Sequence, residues 1–166
     1  MGSWKQWSRA ALTAAALAVV LDLLGAGRIQ VTAYALSCPG LPEAFSGLKI
    51  ALITDLHGAF LEDGGQTLAR AAAGADLIAI SGDLFDRDTH LEQVIPAIRS
   101  LCRMAPVYYV SGNHEWTVEG RREVWAQMEE AGAILLDHRW VTLERQGASI
   151  TLAGIQDPNG PADQAS

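Results

Sequence analysis

The chain has 166 residues, of which 49% are hydrophobic and 19% charged, and its formal net charge is −7 at pH 7. This composition is typical of a folded domain with enough apolar side chains for a core, which excludes an intrinsically disordered chain. The acidic balance argues against tight binding to a nucleic-acid backbone, because such binding depends on Lys and Arg neutralising phosphates. We therefore expect no nucleic-acid partner, and the sequence leaves the oligomeric state open.

Residues 1–27 predict a segment directed to a membrane. Trp4, Lys5, Trp7 and Arg9 precede an apolar run from Ala10 to Leu21, and aromatic residues beside cations are typical of a membrane interface. The run is shorter than the roughly 20 residues that a spanning helix needs, so it is either a weak anchor or the core of a signal peptide. We expect an N-terminal apolar helix that anchors the chain to the cell membrane, with the following domain on the extracytoplasmic side. The alternative is a buried helix of that domain.

The segment after the apolar run predicts a first strand. Ile29, Val31, Ala33 and Ala35 alternate with more polar residues, which is the period of a half-buried strand. Signal-peptide cleavage at Ala33–Ala35 would cut this strand, so an uncleaved anchor is favoured.

Beyond a Pro/Gly-rich connector at 38–42, strand and helix signals alternate along the chain. Apolar runs predict strands at 48–54, 76–80, 106–111, 133–136, 140–144 and 149–153. Apolar stripes predict helices at 66–73, 91–102 and 118–131. Pro96 predicts a kink or a late start in the second helix, because proline lacks a backbone N–H. The alternation indicates an α/β fold built of right-handed β-α-β units around a parallel sheet.

The first of these runs, Leu48 to Thr54, is continuously apolar after Lys49. A run of this kind predicts a strand that is covered on both faces.

Residues of the types that bind metals follow three successive predicted strands. Asp55 and His57 follow the first, Asp83 follows the second, and Asn113 and His114 follow the third. Because the carboxyl ends of parallel strands meet at one edge of a sheet, we expect these five side chains to converge.

Each of these residues also has an ordinary interpretation when taken alone. An Asp can cap a helix, Asn113 can form a turn, and His57 can be hydrogen-bonded to the backbone. Their joint occurrence at successive strand ends favours a site. We interpret Asp86 and Asp88 as solvated loop carboxylates or helix caps, and Glu115 as a support of its loop rather than a metal ligand.

The ordered set of motifs, Asp55-x-His57, Gly82-Asp83 and Asn113-His114-Glu115, resembles the calcineurin-like metallophosphoesterase superfamily. The resemblance covers Leu41 to Pro158, and the flanking residues are similar to its membrane-associated bacterial branch. It implies an αββα sandwich, of which this chain would form the N-terminal half. The phosphoesterase domain would then occupy residues 28–166 and be incomplete at its C-terminus.

The resemblance also implies the chemistry of the site. Two divalent metal ions, Mn, Fe or Zn, would be bound. Asp55 and His57 would bind the first ion, Asp83 would bridge both, and Asn113 would bind the second. His114 would be the catalytic residue that faces the phosphoryl oxygen or the leaving group. The substrate would be a phosphomonoester, a phosphodiester or a pyrophosphate.

The chain departs from the family pattern in its second half. The family has two further elements, G-H and G-H-x-H, that supply three histidine ligands, and no histidine follows Asp157 here. We therefore expect the chain to be part of a longer phosphoesterase and to be inactive by itself. The alternative hypothesis is a catalytically inert, membrane-anchored binding or regulatory module.

Overall fold

The computed structural model describes residues 29–158, which contain two sheets and three helices. The larger sheet has four parallel strands in chain order, namely β1 (Ile50–Ile53), β2 (Leu77–Ser81), β3 (Val107–Val110) and β4 (Ile134–Leu135). The helices α1 (Gln66–Ala71), α2 (Val94–Cys102) and α3 (Arg121–Glu130) connect successive strands. The strands β5 (Trp140–Arg145) and β6 (Ala148–Ala153) form an antiparallel hairpin. The predicted α/β class with a parallel sheet is confirmed.

The predicted N-terminal apolar helix and the anchor at residues 1–27 lie outside the described residues. Among residues 29–158, no helix has the length and apolar character needed to cross a membrane.

The core lies on both faces of the parallel sheet. Ile78 and Ile80 of β2 and their register partners Val107 and Tyr109 of β3 are almost completely buried on one face. Right-handed connections between strands that neighbour each other in chain order place all three helices on the same side of a sheet. Side chains alternate between the two faces of a strand, and on the opposite face Leu77 of β2 belongs to a second cluster, which packs against the hairpin.

The prediction that the first strand is covered on both faces is wrong. Ile50 and Leu52 of β1 are 54% and 66% exposed. The hairpin contacts the cluster formed by Leu77 of β2, Tyr108 of β3 and Leu136, the residue after β4. β1 is the edge strand beside that cluster, so part of one face is left open to solvent in the described part of the chain.

The strand predicted at residues 29–35 is also wrong. These residues form no strand in the structure, and Val31 and Tyr34 are 67% and 83% exposed. Alternation defines which face of a strand would be buried, but a strand also needs a partner for its backbone groups. No described residue pairs with this segment.

The starts of two helices differ from the prediction. A 3-10 turn at Leu91–Gln93 precedes α2, so Pro96 lies in the first helical turn, where its missing N–H is not needed. The late-start alternative is therefore correct. α3 begins three residues after the predicted Val118, because Gly120 has a φ of 78° and ends the preceding turn.

Tyr109 of β3 makes the structure sensitive to high pH. Its side chain is fully buried, and its hydroxyl accepts a 3.3 Å hydrogen bond from the indole N–H of Trp125. Burial, together with the nearby charge of Glu115, raises the pKa of Tyr109 well above its usual value of 10.0. Since the folded pKa exceeds the unfolded one, the contribution of Tyr109 to stability is present below pH 10 and is lost as pH rises further.

Tyr109→Phe should therefore lower the free energy of unfolding near neutral pH by about 0.5–1.5 kcal/mol, through the lost hydrogen bond. Above about pH 10 the variant should lose stability less steeply than the wild type. Urea unfolding of both proteins across this range measures the two effects. If the free energy of unfolding of both proteins fell equally steeply above pH 10, the effect would not come from the buried Tyr109 hydroxyl.

Candidate metal centre

The predicted site residues lie in loops that begin where β1, β2 and β3 end. Asp55 and His57 follow β1, and Asp83 follows β2. All three have a left-handed backbone, with φ values of 53°, 48° and 52°. This conformation is uncommon for residues other than glycine and costs about 1–3 kcal/mol, and residues that adopt it are concentrated at functional sites.

Backbone hydrogen bonds continue the β1–β2 pairing into these loops. The N–H groups of Asp55 and His57 donate to the carbonyls of Gly82 and Asp83 at 3.3 and 2.9 Å. Gly58 donates to Leu84 in the same way, at 2.9 Å. The positions of Asp55 and His57 are therefore fixed relative to Asp83.

The side chains of Asp55, His57 and Asp83 converge. One ligand atom from each of them lies within 4.8 Å of the other two. His57 belongs to a second group of the same dimensions, with Asp86 and His114. The structure thus brings together four of the five predicted residues, and the fifth, Asn113, is exposed on the same loop as His114. Two carboxylates and an imidazole are a donor set that suits Mn²⁺, Fe or Zn²⁺ better than Ca²⁺.

Asp86 orients His57, a role that the sequence did not reveal. The Nδ1 atom of His57 lies 3.2 Å from a carboxylate oxygen of Asp86, which leaves Nε2 for a metal. Asp86 also accepts hydrogen bonds from the N–H of Asp88 and the hydroxyl of Thr89 at 3.0 and 2.8 Å. Burial raises the pKa of Asp86, but these bonds and His57 outweigh it, so the net pKa is below the ordinary value. These bonds lie within the loop, before the helical turn that begins at Leu91, so the interpretation of Asp86 as a loop carboxylate holds and the helix-cap alternative is wrong.

His114 is held beside the same cluster. Its ring packs edge-on against the ring of His57, with 4.5 Å between the centroids. Its backbone N–H donates to a carboxylate oxygen of Asp83 at 3.0 Å. The loop after β3 is thereby joined to His57 and Asp83 of the other two loops.

Glu115 links the loop after β2 to the loop after β3. Its side chain is fully buried, and its carboxylate accepts backbone N–H groups of Asp83, Leu84 and Gly112 at 3.0, 2.6 and 2.9 Å. Burial raises the pKa of Glu115, and these backbone bonds oppose the rise. The contacts agree with the interpretation of Glu115 as a support of its loop.

Gly112 allows these two loops to approach each other. A Cβ atom at this position would collide with the carboxylate of Asp83 and would lie 2.6 Å from the Asp83 backbone nitrogen. Any side chain at residue 112 would push the loops apart.

Asp137 makes a further contact that sequence reasoning missed. Its carboxylate accepts both the backbone N–H and the hydroxyl of Ser111, at 2.8 and 2.7 Å. Asp137 stands two residues beyond β4, much as Asp55 and Asp83 follow β1 and β2. Its place just after a strand could have identified Asp137 from the sequence, but Asp137 belongs to none of the family motifs.

The sequence of residues 48–161 matches the family model described as calcineurin-like phosphoesterase. The chain belongs to this family. Membership in the calcineurin-like phosphoesterases supports a metal-dependent phosphoester hydrolase as the general class of the protein, and the predicted resemblance is confirmed.

Two proteins whose names include metallophosphoesterase are similar to the chain. One is the uncharacterized metallophosphoesterase YkoQ of Bacillus subtilis, 28% identical over 125 residues that cover 71% of this chain and 46% of YkoQ. The other is a transmembrane protein with metallophosphoesterase domain from Danio rerio, 29% identical over an aligned length of 172 that covers 94% of this chain and 38% of that protein. The chain spans less than half the length of either relative.

Among solved structures, TT1561 of Thermus thermophilus superposes with a TM-score of 0.49 and 21% identity, over 66% of this chain and 49% of TT1561.

Proposed function

We propose that this chain forms the N-terminal part of a phosphoesterase that hydrolyses a phosphomonoester, a phosphodiester or a pyrophosphate bond with two divalent metal ions. The observation that supports this most is the convergence of Asp55, His57 and Asp83 within 4.8 Å at the carboxyl edge of the sheet, in a chain of the calcineurin-like phosphoesterase family. Ligands of open α/β sheets bind at this edge.

Four residues would hold the metal ions. Asp55 and His57 would bind the first, Asp83 would bridge both, and Asn113 would bind the second through its amide oxygen. Ions in such a pair supply positive charge to the phosphoryl oxygens and a nucleophilic water at neutral pH. Asp83 suits the bridging position because its carboxylate has two oxygens and its backbone is fixed by Glu115.

His114 would act on the substrate directly. As a hydrogen-bond donor to the phosphoryl oxygen it would stabilise the developing charge, and as a general acid it would protonate the leaving oxygen. Two contacts support this role, since the backbone N–H of His114 donates to Asp83 and its ring packs against that of His57. Asp86 would keep His57 oriented toward the ion.

We further propose that residues 1–27 anchor the protein in the cell membrane and that residues 28–166 belong to a phosphoesterase domain on the extracytoplasmic side. Two observations support this proposal. Cations and tryptophans precede the apolar run at Ala10 to Leu21, and the Danio rerio relative is named a transmembrane protein.

Metal removal tests the proposed activity in the full-length gene product. After treatment with a chelator, hydrolysis of an aryl phosphodiester should fall by about 100-fold or more, and added Mn²⁺ or Zn²⁺ should restore it, since a metal site contributes several kcal/mol to the reaction. Equal turnover before and after chelation would refute a metal-dependent mechanism. Metal binding without any turnover would favour the alternative of an inert binding or regulatory module.

A further inference from the structure

We propose that Asp137 is a positioning residue of this site, which holds the first residue of the loop that carries Asn113 and His114. Its effect on catalysis rests on the proposed phosphoesterase function, whereas its effect on the loop does not. The proposal comes from the pair of hydrogen bonds between Asp137 and Ser111.

Ser111 is the residue at which β3 passes into the loop. It is 2% exposed, and both of its donors point to Asp137, with the N–H 2.8 Å from Oδ1 and the hydroxyl 2.7 Å from Oδ2. Each carboxylate oxygen therefore receives one bond from the same residue. Hydrogen bonds to an ionised acceptor are roughly twice as strong as those between neutral groups.

The sheet brings Asp137 to this position. β4 pairs with β3 in parallel register, with Tyr109 opposite Leu135, and the N–H of Leu136 donates to the carbonyl of Tyr109 at 2.8 Å. Beyond this bond the backbone ladder of β4 has ended, and Asp137 is the next residue along the chain. In a longer β4 a backbone carbonyl would accept the N–H of Ser111. Here the carboxylate of Asp137 accepts it instead.

The loop is consequently held at both of its ends. Asp137 binds Ser111 at the beginning, and Glu115 binds the N–H of Gly112 and that of Asp83. Asn113 and His114 lie in sequence between Ser111 and Glu115, and both are exposed. Loss of the Asp137 end should let the loop shift and misplace these two side chains, even though the N–H of His114 keeps its bond to Asp83, while the remainder of the fold stays intact.

Asp55 and His57 should respond less than Asn113 and His114. They lie on a different loop, and their own backbone bonds run to Gly82 and Asp83. The loss of Asp137 should therefore weaken the proposed roles of Asn113 and His114. Asp55 and His57, the proposed ligands of the first ion, should stay in place.

The test compares Asp137→Ala, Asp137→Asn and Asp63→Ala in the full-length gene product. Asn retains one acceptor, and the hydroxyl of Ser111 can rotate to accept from its amide, so this variant should rescue most of the loss. Asp63 is a matched control, because it accepts the N–H and the hydroxyl of Thr67 at 2.9 and 2.6 Å at the start of α1. Asp63→Ala therefore also removes one bond from a backbone N–H and one from a hydroxyl, but at the start of a helix and not at the loop after β3.

Two measurements are made on each variant. Amide hydrogen exchange of residues 111–114 is followed without metal, and kcat and KM for an aryl phosphodiester are measured with Mn²⁺. Asp137→Ala should exchange at these amides about 10-fold faster. Its kcat should fall by about 10- to 100-fold with little change in KM, the penalty expected for a misplaced catalytic group. Asp63→Ala should match the wild type in both measurements.

Unchanged exchange at residues 111–114 in Asp137→Ala would overturn the proposal, and so would an equal loss of kcat in Asp63→Ala. If Asp137→Ala fails to fold, Ser111→Ala removes only the hydroxyl bond and should give the same changes to a smaller degree. If the wild type shows no metal-dependent hydrolysis, the proposed function fails, and the exchange measurement still decides whether Asp137 holds the loop.

Discussion

Asp83→Asn is expected to lower the kcat of the metal-loaded, full-length gene product by about 100- to 1,000-fold, because several kcal/mol of transition-state stabilisation would depend on the proposed metal pair. Asn has a single acceptor oxygen and no charge, so it cannot bridge two cations. Once Asp83 no longer binds it, the proposed second ion keeps only Asn113 among the residues of this chain. We therefore expect this ion to be lost first. Metal content after gel filtration and steady-state kinetics measure the two effects.

The structure indicates that this substitution leaves the loops in place. The Asp83 side chain accepts the N–H of His114 at 3.0 Å, and the amide oxygen of Asn can accept the same bond. The Asp83 backbone N–H continues to donate to Glu115. A fall in activity would therefore report the lost charge rather than a displaced loop.

Asp76→Asn is a matched control for Asp83→Asn. Asp76 accepts one backbone N–H, that of Lys49, at 2.8 Å, and it precedes β2, at the edge of the sheet opposite to the site. This variant should keep the wild-type kcat and metal content. Wild-type turnover in Asp83→Asn would show that the cluster is not the centre of the reaction.

Glu115→Gln is expected to lower the free energy of unfolding by about 2–3 kcal/mol, which is the cost of leaving buried donors without acceptors. One carboxylate oxygen accepts from both Asp83 and Gly112, and the other accepts from Leu84. A Gln amide has one oxygen, so in either orientation its NH₂ group faces a backbone N–H. The site excludes water at this point because Glu115 is fully buried.

Chemical denaturation measures this loss, and Glu129→Gln is the control. Glu129 is exposed and lies 3.7 Å from Arg139, so its substitution should change the free energy of unfolding by less than about 1 kcal/mol. A similar small change in Glu115→Gln would contradict the role of Glu115 as the link between the two loops.

The sequence predicted the parallel strands and the loops after them because these features are local. Each strand is a short apolar run, and Asp55, Asp83 and His114 follow such runs within a few residues. The rule that parallel strands share a carboxyl edge then predicted convergence without any knowledge of packing.

Burial could not be predicted in the same way, because it depends on what packs against a strand. The apolar run of β1 is the same whether or not a partner covers Ile50 and Leu52. The alternation at residues 29–35 likewise defines a strand only where another strand pairs with it. Asp137 was missed for a related reason, since its contact with Ser111 depends on the β3–β4 register.

The order of the strands has a consequence for folding kinetics. The residues of the candidate metal centre follow three successive strands, from Asp55 to His114, and two parallel pairings join these strands, each over a long chain separation. Contacts of this kind form slowly, because the chain loses loop entropy before the pairing stabilises it. No fragment that lacks one of these pairings contains the complete cluster, so metal affinity should develop with the last of them rather than with collapse of the chain.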